Sequence, residues 1–279
     1  MPLAQSSGAK LYYEDTGTGY PVIFVHEFGG DHRAWETQVR FLSRRYRCIT
    51  FNARGYPPSE VPADDAQYGQ NHATDDIAAV LRHLDLAKAH VVGLSMGAFA
   101  TLHFGLRHRP MASALVLAGC GAGAPRGDRA GFAAESEARA RKFLDEGAAA
   151  VAQEMGHIPA RITLKRKDPR GWQEHVRQLG EHDARGSALT LRNYQAKRPS
   201  LYDLEAEIRR LDLPVLVAVG DEDPPCLEPS FWLKRTLPKA GLWVCPHTGH
   251  CMNLEEPAAF SRALDEFFAA AEAGRWPPK

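Results

Sequence analysis

The sequence predicts an α/β protein whose mostly parallel sheet is covered by helices on both faces. Short apolar segments rich in Val, Ile, Leu and Phe recur along the 279 residues, and amphipathic helical patterns separate them. These apolar segments are nearly continuous instead of alternating with polar residues. Such continuity is typical of strands that are buried on both faces, as the strands of a doubly wound parallel sheet are.

The first half of the chain supplies most of the elements. After the second strand, Ile77, Val80, Leu81 and Leu84 form an apolar stripe at helical spacing, with Thr74 as the expected N-cap. The next helix is expected to end before Pro110, which cannot continue it. Strands are predicted at 21–28, 46–52, 89–95 and 113–120, and helices at 74–86 and 96–108.

The N-terminal segment has a different pattern. In residues 9–25 a Thr-Gly-Thr-Gly sequence (16–19) separates two apolar stretches. Glycines between two strand-like segments are typical of a hairpin turn. We therefore expect an antiparallel hairpin at one edge of the sheet.

The strand signals vanish from about 124 to 212, where Ala-, Arg- and Glu-rich helical segments follow one another. They return at 213–223 and 240–250, and a final helix carries Phe260, Leu264, Phe267 and Phe268 on one side. We therefore expect a core formed by residues 1–124 and 213–279, with a helical cap inserted at 125–212.

Composition limits the possible functions. Lys+Arg and Asp+Glu both number 34, so the net charge gives no general attraction to nucleic acid or to a membrane surface. No apolar run approaches the roughly 18 residues of a membrane span, and the first residues lack an export signal. The five cysteines form no C-x-x-C pair. Their number and spacing favour a cytoplasmic protein without a structural zinc site. The sequence does not distinguish a monomer from a homodimer.

One serine lies between two glycines where a strand gives way to a helix. In "GLSMG" (93–97) Ser95 stands at the predicted bend, flanked by Gly93 and Gly97. A tight turn of this kind strains the backbone at the serine and brings its neighbours close together, so the glycines avoid clashes of a Cβ. The N–H groups at the start of the following helix can stabilise an anion. Ser95 is therefore a candidate nucleophile.

An acid and a base follow two later strands. A serine hydroxyl needs a base to take its proton, and the base needs an acid to orient it. Asp221 and Asp223 come after one predicted strand, and His247 and His250 come after the next. Parallel strands place their carboxyl ends at the same sheet edge. One acid and one histidine are therefore expected to meet Ser95 there.

With these residues the sequence resembles the α/β-hydrolase superfamily from about residue 10 to 268. In that family the acid lies three residues beyond the glycine that ends its strand, which implies Asp223, and the histidine follows a glycine, which implies His250. Asp221 and His247 are the alternatives. The serine separates the chain from relatives of haloalkane dehalogenases and epoxide hydrolases, which place an aspartate at this turn.

The resemblance also implies an oxyanion hole. The stretch "VHEFGGD" (25–31) matches the family's His-Gly-x motif, so the N–H groups of Phe28 and Met96 would bind the oxyanion and His26 would brace the loop. Glu27 stands where glycine is usual. An ionised carboxylate beside an oxyanion would repel it. We therefore expect Glu27 to pair with Arg54 or with an arginine of the cap, unless it takes part in binding or proton transfer.

The expected activity is hydrolysis of a small organic ester or lactone through an acyl-enzyme, without metal or cofactor. One alternative is a carbon–carbon bond hydrolase acting on a diketone-like acid. Another is a binding or signalling protein that retains the triad and hydrolyses its ligand slowly. A cofactor-free lyase or oxygenase ranks below these. Between 126 and 212, 17 Lys+Arg against 14 Asp+Glu give an excess of +3, which mildly favours a carboxylate-bearing substrate. The candidate substrate contacts are His26, Glu27, Trp172, Tyr194 and Met252.

Overall fold

The computed structural model describes residues 1–276. It contains one eight-stranded sheet with the strand order β1-β2-β4-β3-β5-β6-β7-β8. The strands are β1 (Leu3–Ser6), β2 (Ala9–Thr16), β3 (Tyr20–Val25), β4 (Tyr46–Phe51), β5 (Ala89–Leu94), β6 (Ala112–Ala118), β7 (Val215–Gly220) and β8 (Ala240–Cys245). From β4 through β8 all neighbouring strands are parallel, which confirms the predicted fold class.

Helices connect the strands and cover both faces of the sheet. They are α1 (Glu36–Leu42), α2 (Gln70–His83), α3 (Met96–Arg107), α4 (Arg129–Glu146), α5 (Ala148–Met155), α6 (Pro159–Lys167), α7 (Pro169–Gly180), α8 (Ala184–Leu189), α9 (Glu205–Ile208), α10 (Pro224–Thr236), α11 (Met252–Glu255) and α12 (Pro257–Glu272). A π-helical turn (Thr190–Gln195) continues α8. No helix within residues 1–276 combines the length and the apolar character that crossing a membrane requires.

Alternation along each strand divides the core in two. In β3, Ile23 belongs to the apolar layer under α2, α3 and α10, whereas Val22 and Phe24 belong to the layer under α1 and α12. Successive side chains of a strand point to opposite faces, so each central strand contributes to both layers. The C-terminal helix packs Phe260, together with Leu264, Phe267 and Phe268, into the second layer, as the stripe predicted.

The antiparallel edge is present, but the predicted turn does not form its hairpin. The turn at residues 16–19 joins β2 to β3, yet β2 pairs with β1 and β4, not with β3. The hairpin is β1–β2, which turns at Ser7 and Gly8, with Gly8 at a φ of +76°. The prediction therefore had the right edge and the wrong turn, because glycines in a turn do not specify which strands become neighbours.

Two boundaries also differ from the prediction. The first predicted strand ends at Val25, so His26, Glu27 and Phe28 belong to a loop. Helix α2 begins at Gln70, and Thr74 lies inside it as a buried residue whose hydroxyl donates to the Gln70 carbonyl at 2.7 Å. A threonine hydroxyl can also bond back to the carbonyl four residues earlier inside a helix, so the residue type did not identify the helix start.

The segment between β6 and β7 is predominantly helical. Residues 119–214, all of them described, contain α4 to α9 and no strand. Their apolar side chains form a third cluster that also includes Phe28, Tyr56 and Met96 from the loops at the sheet edge. We call residues 125–212 the helical segment. Of the predicted sheet domain, residues 277–279 lie outside the described part.

Candidate active site

Ser95 lies in the tight turn between β5 and α3. Its φ of +54° and ψ of −117° are a strained conformation for a non-glycine residue, and its N–H donates to the Ala118 carbonyl at 2.8 Å. A Cβ on Gly93 would lie 2.2 Å from the Gly97 carbonyl oxygen, and one on Gly97 would lie 2.1 Å from that of Val25. Close backbone approach therefore requires both glycines, and the turn holds the serine side chain away from the strand.

His250 and Asp223 form a buried pair. The imidazole Nδ1 lies 2.7 Å from Asp223 Oδ2, and the two side chains are 8% and 3% exposed. Burial alone would lower the pKa of His250, but the adjacent Asp223 carboxylate outweighs it and raises that pKa well above 6.5. Burial alone would raise the pKa of Asp223, and His250 instead brings it below its usual range. Each group therefore stabilises the ionised form of the other.

The alternative acid and base lie elsewhere. Asp221 is exposed and accepts a hydrogen bond from the Thr248 N–H at 3.1 Å. His247 is also exposed, at a φ of +53°. Of the four candidate side chains, only Asp223 and His250 are buried together.

Ser95, His250 and Asp223 line one cavity of about 150 Å³. It lies between the carboxyl edge of the sheet and the helical segment, and Glu27 and Phe28 also line it. A larger outer cavity of about 650 Å³ shares Asp223 and several other lining residues with it. This outer cavity lies between the start of α4 and the start of α10 and adjoins the cavity that Ser95 lines.

The loop after β3 is held by hydrogen bonds on both sides of Phe28. The His26 Nδ1 bonds to the Glu27 carbonyl at 2.7 Å, while its Nε2 accepts the Ala53 N–H at 3.0 Å. The Tyr56 hydroxyl donates to the Phe28 carbonyl at 3.1 Å. Because Nε2 accepts a hydrogen bond, His26 is neutral, and burial accordingly lowers its pKa to about 4. His26 therefore fixes the loop without bringing a charge to it.

Glu27 forms an ion pair with the helical segment. Its Oε2 lies 2.6 Å from the Arg161 guanidinium on α6, and both side chains are 4% exposed. Arg161 also donates from Nε to His175 Nε2 at 3.0 Å. Burial alone would raise the pKa of Glu27, but Arg161 and the neighbouring histidines outweigh it and lower that pKa to about 2. The expected pairing is confirmed with an arginine of the helical segment.

Arg54, the other candidate partner, is engaged elsewhere. Its guanidinium binds both oxygens of Asp76 on α2, at 2.7 and 2.8 Å. Sequence reasoning missed Arg161 as the specific partner because 134 residues separate it from Glu27.

Helix α6 contacts both loops that carry candidate catalytic groups. The His250 N–H donates to the Ala160 carbonyl at 3.3 Å, and Lys167 Nζ binds Glu256 Oε1 at 2.7 Å. The Glu27–Arg161 pair anchors the same helix to the loop after β3. The position of α6 therefore constrains both the loop that carries His250 and the loop that carries Glu27 and Phe28.

Of the five predicted substrate contacts, Glu27 lines the cavity, whereas His26, Trp172, Tyr194 and Met252 do not. Trp172 packs within the helical segment and donates from Nε1 to the Gly156 carbonyl at 2.7 Å. Met252 is fully buried in the layer under α1 and α12. The Tyr194 hydroxyl donates a hydrogen bond to the Met96 carbonyl at 2.8 Å, so it stabilises the residue that follows Ser95 in the turn. Apolar character does not distinguish a packed residue from one that lines a cavity, which is why the sequence suggested these side chains.

Among residues 1–276, two buried groups have the donor types of a metal site. They are Asp223, Cys226 and His250, and Glu27, His175 and Cys251, each with its donor atoms within 4.8 Å of one another. In the first group the carboxylate and imidazole bind each other. In the second, the Arg161 guanidinium already supplies the positive charge. Neither arrangement argues for a resident cation.

Solved structures share this architecture. An esterase from Thermogutta terrifontis superposes with a TM-score of 0.84 at 28% identity, covering 94% of each chain. An enol-lactonase from Burkholderia xenovorans also superposes with a TM-score of 0.84, at 23% identity over 96% of this chain and 100% of the other. At that identity the second likeness shows the fold alone.

Sequence relatives extend over nearly the whole chain. A Mycobacterium tuberculosis protein with the provisional name non-heme bromoperoxidase BpoC is 31% identical over 95% of this chain and 99% of its own. A 2-hydroxymuconate semialdehyde hydrolase from a Pseudomonas strain is 29% identical, over 96% of this chain and 93% of its own. The model of the Alpha/beta hydrolase family matches residues 22–263. The chain therefore belongs to the alpha/beta hydrolase family.

Proposed function

We propose that the protein is a serine hydrolase that cleaves a small organic ester or lactone, with Ser95 as nucleophile, His250 as base and Asp223 as orienting acid. The observation that carries the proposal is the buried His250–Asp223 pair, which lines the same cavity as a serine in a strained strand-to-helix turn. Because Nδ1 of His250 is bound to Asp223, its Nε2 remains available to take a proton.

The reaction proceeds in two halves. His250 Nε2 accepts the Ser95 hydroxyl proton as the oxygen attacks the substrate carbonyl, and the N–H groups of Phe28 and Met96 bind the oxyanion. His250 then protonates the leaving alcohol, which departs and leaves an acyl-serine. A water molecule attacks that ester by the same route and releases the acid. Asp223 holds the imidazole in its tautomer and stabilises its protonated form.

The helical segment acts as a cap in this scheme. It closes the cavity over Ser95, and its contacts with both loops make it part of the binding site. Exclusion of water strengthens the hydrogen bonds to the oxyanion. The enclosed volume of about 150 Å³ favours short acyl groups.

A fluorophosphonate probe tests the nucleophile directly. The wild-type protein should become labelled at Ser95, and Ser95→Ala should not. Ser230→Ala is a matched control, because Ser230 is also a buried serine but lies on α10 and outside the cavity lining. Absence of labelling in the folded wild-type protein would instead favour a binding or signalling role.

A carbon–carbon bond hydrolase is the second candidate. Its basis is the Pseudomonas relative, whose name assigns it hydrolysis of a muconate semialdehyde. The same triad could serve both reactions. A series of p-nitrophenyl esters with acyl chains of increasing length separates the two: turnover of the short esters supports the esterase, whereas cleavage of a diketone acid without ester turnover supports the alternative.

A further inference from the structure

A second buried guanidinium lines the cavity and has a different environment from Arg161. Arg198 follows the π-helical turn and is 3% exposed. Its guanidinium carbon lies 3.5 Å from the centroid of the Phe99 ring and 4.9 Å from that of Phe132. The guanidinium therefore contacts the faces of two aromatic rings.

Only part of the hydrogen-bonding edge of this guanidinium is used. The guanidinium donates to the Ala122 carbonyl at 2.5 Å and to the Gln195 side-chain oxygen. Its Nε has no hydrogen-bond partner among the described residues. A guanidinium has five N–H donors in a planar fork that matches a carboxylate, and neutral carbonyls satisfy two of them here.

No carboxylate compensates this charge. Within residues 1–276, no Asp or Glu oxygen lies within 4.0 Å of the Arg198 nitrogens. Burial lowers the pKa of Arg198 to about 10, and the nearby guanidinium of Arg129 acts in the same direction. At neutral pH Arg198 is still charged. Removing a cation from water without an opposing anion is costly, and contact with aromatic faces compensates only in part.

Two other charged pairs of the cavity are matched. Glu27 pairs with Arg161, and Asp223 pairs with His250. Arg139 also lines the cavity and forms no ion pair among the described residues, but it is partly exposed, so water can solvate its charge. The charge that is both fully buried and without a carboxylate partner is therefore that of Arg198.

We propose that Arg198 binds a free carboxylate of the substrate, so that the preferred substrates are short esters or lactones that also carry a carboxylate. This inference rests on the proposed function, since it places the carboxylate in the cavity that Ser95 lines. The bound anion supplies the missing counter-charge and accepts the unused N–H donors. It also holds the scissile carbonyl at a fixed separation from Arg198, which selects the length of the acid.

Two methyl esters of equal length and shape test the charge preference. Monomethyl succinate carries a carboxylate where methyl 4-methylpentanoate carries an isopropyl group. Acid release by the purified full-length protein is followed by titration at constant pH. Wild type should favour the succinate ester in kcat/KM by about tenfold or more, as expected for charge-assisted hydrogen bonds. Equal rates, or preference for the neutral ester, would overturn the subsite.

Variants locate the preference. Arg198→Met should reduce the ratio of the two kcat/KM values at least tenfold, mainly through KM of the succinate ester, and Arg198→Lys should retain part of it. Arg139→Met is the matched control, because Arg139 lines the same cavity but is partly exposed to water. If Arg139→Met removed the preference and Arg198→Met kept it, Arg198 would not be the carboxylate site.

A binding measurement separates this inference from the proposed function. Both esters are titrated calorimetrically into Ser95→Ala, whose cavity retains Arg198. Tighter binding of monomethyl succinate, without turnover of either ester by wild type, would support the subsite and count against the hydrolase. Equal binding of the two esters would refute the subsite whether or not wild type is active. Because this variant keeps Arg198, the measurement holds even if Arg198→Met does not fold.

Discussion

Replacing Arg161 with methionine should destabilise the protein through Glu27. At 2.6 Å and an effective dielectric of about 20, the attraction between the two charges is about 6 kcal/mol. The cost of removing both ions from water offsets most of this attraction, so the intact pair adds little net stability. Removing the cation alone leaves a buried carboxylate without a counter-charge, and we expect a loss of about 3–5 kcal/mol at pH 7.

The pH dependence gives a second estimate of the same interaction. Folding lowers the pKa of Glu27 from 4.5 to about 2, so the stabilisation is complete above pH 4.5 and is lost as the pH falls through 2. A difference of this size corresponds to about 3 kcal/mol. In Arg161→Met this contribution should disappear, so the destabilisation relative to wild type should grow between pH 2 and pH 4.5.

A double-mutant cycle isolates the pair. The free energy of unfolding is measured by denaturant titration for wild type, Glu27→Gln, Arg161→Met and the double variant. We expect the double variant to recover most of the stability lost in Arg161→Met, with a coupling of about 3 kcal/mol. Under the proposed function, ester turnover should follow the same order, because an ionised carboxylate at about 4 Å from an oxyanion raises its energy by up to about 4 kcal/mol. Additive effects of the two changes, within about 0.5 kcal/mol, would refute this account.

Three further predictions concern the serine turn and the histidine. Asp223→Asn should reduce kcat about ten-thousandfold by favouring the wrong imidazole tautomer; a reduction below tenfold in initial-rate assays would contradict the role of Asp223. Because neutral His250 is the proposed base and its pKa is raised above 6.5, kcat/KM should be half-maximal above pH 6.5 and fall on acidification; a midpoint below 6.5 would be inconsistent with this role. Gly97→Ala should lower the free energy of unfolding by about 1–3 kcal/mol, because its Cβ would lie 2.1 Å from the Val25 carbonyl oxygen. Gly131→Ala in α4 is the control, because its Cβ meets nothing within 4 Å. It should raise the free energy of unfolding by about 0.5–1 kcal/mol in the same denaturant titrations.

Local patterns were sufficient for the parallel part of the sheet. Each buried strand there is followed by a helix of its own, so the chain order determines the connections and the edge at which Ser95, Asp223 and His250 arrive. The glycines on either side of Ser95 predicted a strained backbone at this residue, and its φ of +54° confirms the strain. These features depend on residues close together in the chain.

Features that depend on distant residues were not predicted. Strand β2 is the neighbour of β4 in the sheet and not of β3, which follows it in the chain. Nothing in the turn at 16–19 indicates this pairing. Glu27 could have paired with any of several arginines, and the packing of α6 selected Arg161. Trp172 and Met252 are of residue types that often line pockets, but each packs inside an apolar cluster of the structure. In each case tertiary packing made a choice that local residue types leave open.

The contact of α6 with both loops has a consequence for recombining this chain with its relatives. A chimera that receives residues 125–212 from a relative without an arginine at the position of Arg161 would lose the cation that this carboxylate needs. Transfer of residues 125–212 of this chain into a relative with glycine at the position of Glu27 would bury Arg161 without its anion. Position 27 and α6 must therefore be exchanged together, although 134 positions of sequence separate Glu27 from Arg161.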